Sequence, residues 1–169
     1  MALMLAVDLG LRTGLALYGQ DGRLQWYRSH NFGTAARLRR AVRGLLDELP
    51  GLTWLVLEGG GHLAYIWKRE AERRRIRVRQ IGAEVWRQMF LLPRQQRRGS
   101  QAKASAGILA KRVIAWSNAR RPTSLREDAA EAILIGLWGA LDIGWLTDVP
   151  DAVNISSSSE MPIRYSGNL

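Results

Sequence analysis

Four carboxylates in this 169-residue chain stand where an acid could do chemistry: Asp8, Glu58, Asp128 and Glu131. Asp8 stops the apolar run from Leu3 to Val7, and Gly10 and Gly14 let the chain turn tightly just beyond it. Glu58 stops a second run, Thr53-Trp-Leu-Val-Leu57, and Gly59-Gly60-Gly61 follows. A strand-end acid beside glycine suits a group that holds a metal or a phosphate. One alone is equally well an exposed strand terminus. Two resist that explanation, because parallel neighbours in one sheet release both acids at the same carboxyl edge, where open α/β sheets carry their sites. Asp128 and Glu131 lie three residues apart and share a helix face. That helix is apolar over most of its circumference through Ile133, Leu134, Leu137, Trp138 and Leu141, which argues against surface decoration. First-turn acids do also complement a helix dipole.

Carboxylates gathered at one point raise each other's pKa, and the usual remedy is a bound cation. The chain has no cysteine and only His30 and His62, so thiolate zinc sites are excluded and most zinc enzymes lack enough ligands here. The cation expected is magnesium, with manganese able to substitute. Two such ions about 3.5 to 4 Å apart form the clamp used for phosphodiester hydrolysis. The net charge of +10, carried mainly by arginine, favours a polyanionic partner, and the guanidinium fork suits phosphate. The same charge also fits a basic binding protein without activity.

These acids need a sheet edge and a helix to carry them. Thr13–Tyr18 and Arg23–Ser29 read as strands that extend the first into a meander around the turn Gln20-Asp21-Gly22. Gly33-Thr34 opens a helix with Leu38, Val42, Leu45, Leu46 and Leu49 on one face and Arg37, Arg39, Arg40 and Arg43 on the other. A second helix spans His62–Arg75, with Leu63, Ile66, Trp67 and Ala71 on its packing face and Glu70 placed to pair with Arg74. Ile76–Ile81 alternates as a half-exposed fifth strand, Gly82–Phe90 is helical, and Pro93–Gly99 reads as a basic loop without apolar anchors. Ser100 is placed to cap a helix packed through Ile108, Leu109, Val113 and Trp116. Lys103 then falls in the first turn, where a cation costs a few tenths to about 1 kcal/mol, a hint of a lysine kept for phosphate. Ser124-Leu-Arg-Glu127 matches a capping box that starts the last helix at Leu125.

The fold expected is α/β: a mixed five-stranded sheet, an antiparallel three-strand meander plus parallel strands, flanked by helices. Residues 1–147 form one nuclease-sized domain and 148–169 a flexible tail. No run approaches the about 18 apolar residues of a membrane span, and the first strand begins almost at Met1, so the expectation is a cytoplasmic protein.

Taken together, the motifs resemble the RuvC family of Holliday-junction resolvases, within the RNase H-like fold. The matching residues are Asp8 with Gly10, Thr13 and Gly14; Leu-Val-Leu-Glu58; Asp128-Ala-Ala-Glu-Ala132 before an apolar helix; and Gly99-Ser-Gln-Ala-Lys103, across about residues 3 to 142. The resemblance implies that Asp8 bridges two metal ions, that Glu58, Asp128 and Glu131 complete their coordination, and that Lys103 lies near the scissile phosphate. It further implies a homodimer making paired symmetric cuts in a four-way junction, with the His62–Arg75 helix contributing to the dimer. Arg12, Lys68, Arg94, Arg97, Arg98, Lys103 and Lys111 are the cations expected on DNA.

Three departures accompany it. Glu131 stands where the family often has Asp or His. Gly61 occupies the place of an aromatic, for which Tyr65 or Trp67 could substitute. A second upstream basic residue has no clear match, with Arg94, Arg97 and Arg98 as candidates. Other readings are a nuclease of the same fold acting on other branched or hybrid nucleic acids, a silent binding module of that fold, or an actin-like or sugar-kinase phosphate hairpin. The last needs a second related domain that this chain is too short to hold.

Overall fold

The computed structural model describes residues 1–154. Its elements, in chain order, are β1 (Leu3–Asp8), β2 (Arg12–Gly19), β3 (Leu24–Asn31), α1 (Ala35–Asp47), β4 (Leu52–Glu58), α2 (Gly61–Arg73), β5 (Arg77–Ile81), α3 (Ala83–Phe90), α4 (Pro93–Gln96), α5 (Gly99–Ser117) and α6 (Glu127–Asp142). The sheet runs β3-β2-β1-β4-β5, with β1, β2 and β3 antiparallel in turn and β4 parallel to both β1 and β5. This is the mixed five-stranded sheet expected from the sequence. Asp8 is in register with Glu58, so the two acids leave the carboxyl edge side by side.

β1 is apolar on both faces because both are covered. Met4 and Ala6 pack into the layer built by α5 and α6, while Leu5 and Val7 pack into the layer of α1 and α2. α6 lies unusually close to the sheet. A Cβ at Gly136 would fall 2.2 Å from the Tyr18 ring, and one at Gly139 would fall 2.9 Å from Met4 and Val56 side-chain atoms. Buried Tyr18 stays satisfied by donating to the Ile133 carbonyl at 2.6 Å.

Gly14 sets the same approach at the edge that bears Asp8, where its Cβ would lie 1.9 Å from the Asp128 carbonyl oxygen. The obstacle is backbone, so it cannot be relieved by a rotamer. Gly14→Ala is therefore expected to lose about 1 to 3 kcal/mol of stability, by the general cost of overpacking, and to push the start of α6 outward. Urea unfolding measures it; an unchanged midpoint would mean that α6 does not rest on β2 as described.

Glu70 is a buried charge on α2, held by Arg73 at 2.8 Å and Arg74 at 2.7 Å. Arg74 also bonds Asp47 of α1 at 2.6 Å, tying the two helices together. These guanidiniums hold the Glu70 carboxyl below its ordinary pKa against the opposing effect of burial.

Several local expectations yield to tertiary contacts. α5 begins at Gly99 with Arg98 at its N-cap and no side-chain cap, so Ser100 lies inside the first turn and Lys103 two residues deeper than expected. Its packing face is mainly small, Ala102, Ala106 and Ala110 with Leu109, Val113 and Ile114, whereas Ile108 is 56% exposed. α6 begins at Glu127, and Arg126, extended, replaces the Ser124 capping box. Leu125 packs against the core there, and that burial outweighs one local cap bond. Pro93–Gln96, expected as loop, forms a single helical turn with proline at its start.

The packed chain also continues past residue 147, where the tail was expected to begin: Val149 and Val153 rest on the core, Val153 being 1% exposed. The remainder of that tail, 155–169, lies outside the described residues. Among the described residues no helix is long and apolar enough to cross a membrane.

A candidate metal centre at the carboxyl edge

β1 delivers Asp8, β4 delivers Glu58, and α6 lowers Glu131 onto them from above the edge. Each contributes a carboxylate oxygen, and the three oxygens lie within 4.8 Å of one another. Residues separated by up to 123 positions thus share one small volume. Asp8 is pushed up to about 8, first by burial, then by the charges of Glu131 and Glu58, by a hydrogen bond with Glu131, and by the charge of Asp128. Burial also raises Glu58, opposed by a hydrogen bond from Trp86. The donor set, all hard oxygen, fits magnesium or manganese.

Asp128 does not join the group of three. Its Oδ2 accepts from Ser29 Oγ at 2.6 Å and its Oδ1 from the Ala129 N–H at 3.0 Å, which turns the carboxylate toward β3. It stands beside the cluster, close enough for its charge to raise Asp8.

Three neighbours escaped the sequence reading. Trp86 is fully buried and donates its Nε1–H to Glu58, which fixes that carboxylate. Arg87 lies over the Trp86 ring, 5.3 Å from its centroid, and places Nη2 3.3 Å from Glu131. Ser29 orients Asp128. The only signal for the first pair was a tryptophan on a short helix after a strand parallel to the acid-bearing ones, since a buried indole N–H requires an acceptor. Arg87, and not Arg94, Arg97 or Arg98, is the cation set against the acids.

Lys103 reaches the rim, where its Nζ pairs with Glu127 at 2.9 Å; this contact, with the charge of Glu131, raises its pKa. Arg12 is exposed at the start of β2, on the same edge as Asp8. Arg94, Arg97 and Arg98 are exposed on the segment leading to Lys103, and Lys111 is exposed two turns further along α5. Lys68 points toward β5, bonding Gln80 at 3.2 Å. Trp67 is fully buried in the α1/α2 layer and cannot meet a ligand, while Tyr65 is 56% exposed.

A mixed sheet in this order, flanked by helices on both faces, is the RNase H-like fold. In particular, the structure is similar to that of T. thermophilus RuvC in complex with Holliday junction substrate, with a TM-score of 0.58 at 15% sequence identity, over 85% of this chain and 96% of that one. No family model matches the sequence, and no curated protein matches it.

Proposed function

We propose that the chain is a metal-dependent endonuclease that hydrolyses phosphodiester bonds in branched DNA, four-way junctions above all. The observation that carries this is the convergence of Asp8, Glu58 and Glu131 within 4.8 Å, with Asp8 raised to about 8. Anions held this close with so little water are costly unless a cation joins them. When bound, two magnesium or manganese ions supply an activated water and neutralise charge on the leaving oxygen.

In this reading Asp8, Glu58 and Glu131 would hold the metal, with Asp128 beside them as a further ligand. Trp86 keeps the Glu58 carboxylate from rotating away. Lys103, poised on the rim, exchanges Glu127 for the scissile phosphate. The exposed arginines, Arg12 and Arg94 to Arg98, take the flanking backbone. A four-way junction presents two strands to cut, so the functional unit is a homodimer with two sites, acting in the cytoplasm. The nuclease unit is then residues 1–147, with Val149 and Val153 packed onto its core.

A second reading is a binding module that has lost cleavage, favoured by Arg87, whose guanidinium already neutralises part of the acid cluster. One gel separates the two. Labelled junction, flap, duplex and RNA-DNA hybrid are incubated with the protein in magnesium and in EDTA. Cleavage of the junction in magnesium alone is expected, as paired nicks at symmetric positions. Binding without cleavage in any metal would favour the module, and cleavage of the hybrid alone would move the substrate class.

A further inference from the structure

The proposed chemistry leaves one strongly charged feature unused, a groove on the sheet face away from α6. α1 follows β3 and α2 follows β4, and both strands end at the edge that bears Asp8. The two helices therefore start at that edge and run back from it side by side. Arg39, Arg40 and Arg43 of α1 face Tyr65, Arg69 and Arg73 of α2 across a cavity of about 440 Å³. The single acid lining it, Glu70, is buried and already paired with Arg73 and Arg74. Arg39, Arg40, Arg43 and Arg69 are exposed and have no carboxylate within 4.0 Å among the described residues.

Four unpartnered guanidiniums converging on one groove repel each other, and a polyanion relieves that repulsion. The spacing selects among polyanions. At about 1.5 Å per residue, Arg39, Arg40, Arg43 and Arg69 form a band roughly 6 to 12 Å back from the edge. One strand of a duplex presents a phosphate about every 3.4 Å of axis, so such a band spans about two to three of them. Tyr65, at the end nearest the acids, adds a hydroxyl donor.

We propose that this groove, part of whose lining is the helix face that the resemblance gives to a dimer, is instead a second nucleic-acid contact, a track for the sugar-phosphate backbone of a duplex arm leaving the acid edge, read by charge and not by base sequence. The arm's origin at that edge rests on the nuclease reading; the groove's affinity for duplex does not.

The test uses the Asp8→Asn chain in EDTA, so that neither metal nor cleavage enters. Anisotropy of a short labelled duplex gives the slope of log affinity against log salt concentration. Adding Arg39→Ala, Arg43→Ala and Arg69→Ala is expected to reduce that slope by about 2 to 3, at about 0.9 per phosphate contact. Removing the same charge elsewhere, through Arg23→Ala, Arg77→Ala and Arg120→Ala, is expected to change it by less than about one contact's worth. If the groove triple unfolds, Arg69→Ala alone replaces it, with an expected loss of about 0.9. A groove variant with the parent slope overturns the proposal, as does an equal loss in both triples, which would reduce the effect to net charge. An inactive acid site leaves this comparison intact, and an unchanged slope leaves the acid site intact.

Discussion

Asp8→Asn is expected to lose magnesium-dependent cleavage by at least about 10³-fold, on the order of 4 kcal/mol in the barrier. Asp8 is central to the three acids: its pKa is raised by Glu131, Glu58 and Asp128 alike, whereas Glu58 and Asp128 are each also engaged by a neighbour, Trp86 or Ser29. The amide keeps the shape and removes the charge that an ion needs. Calorimetric titration with magnesium should show the same substitution weakening metal binding, which separates a ligand from a residue that merely supports the strand. Cleavage equal to wild type would dismiss the proposed centre altogether.

The second large effect concerns stability without metal. The folded chain keeps a proton on Asp8 up to about 8, whereas the unfolded chain releases it near 3.8. Between those values the folded state binds more protons than the unfolded one, so stability falls as pH rises and levels off above about 8. Glu58, also raised, acts in the same direction. Glu70 acts in the opposite one, since its lowered pKa gives stability that is lost only as pH falls through the carboxylate range. From pH 5 to 8 the metal-free protein should therefore weaken, by on the order of a few kcal/mol. Magnesium should restore stability most at the alkaline end, because it binds the deprotonated acids. Asp8→Asn should flatten the metal-free profile. Urea unfolding in EDTA across that range decides it, and a flat wild-type profile would mean that the three acids do not share one poorly solvated volume.

What the amino-acid order determined by itself was the skeleton of the site. Two apolar runs, each ending in an acid, could be buried on both faces only in the middle of a sheet, and parallel pairing then put Asp8 beside Glu58. The small and apolar residues of α6 likewise required a helix pressed against that sheet, with an acid carried on its first turns.

Tertiary packing decided the rest. Sequence spacing put Asp128 and Glu131 on one face without saying which would enter the cluster. The answer came from how α6 seats on Gly14, Tyr18 and Met4, and from the Ser29 hydroxyl that draws Asp128 aside. Arg87 reached Glu131 because α3 folds back beneath α6, a contact across 44 residues that no local pattern encodes. Ser100 and Ser124 lost their expected caps, and Trp67 its availability, for a common physical reason. A cap bond is worth about 1 kcal/mol, while burying a large apolar side chain gives about 1.5 to 3, so the core chooses where helices begin and which aromatics it keeps.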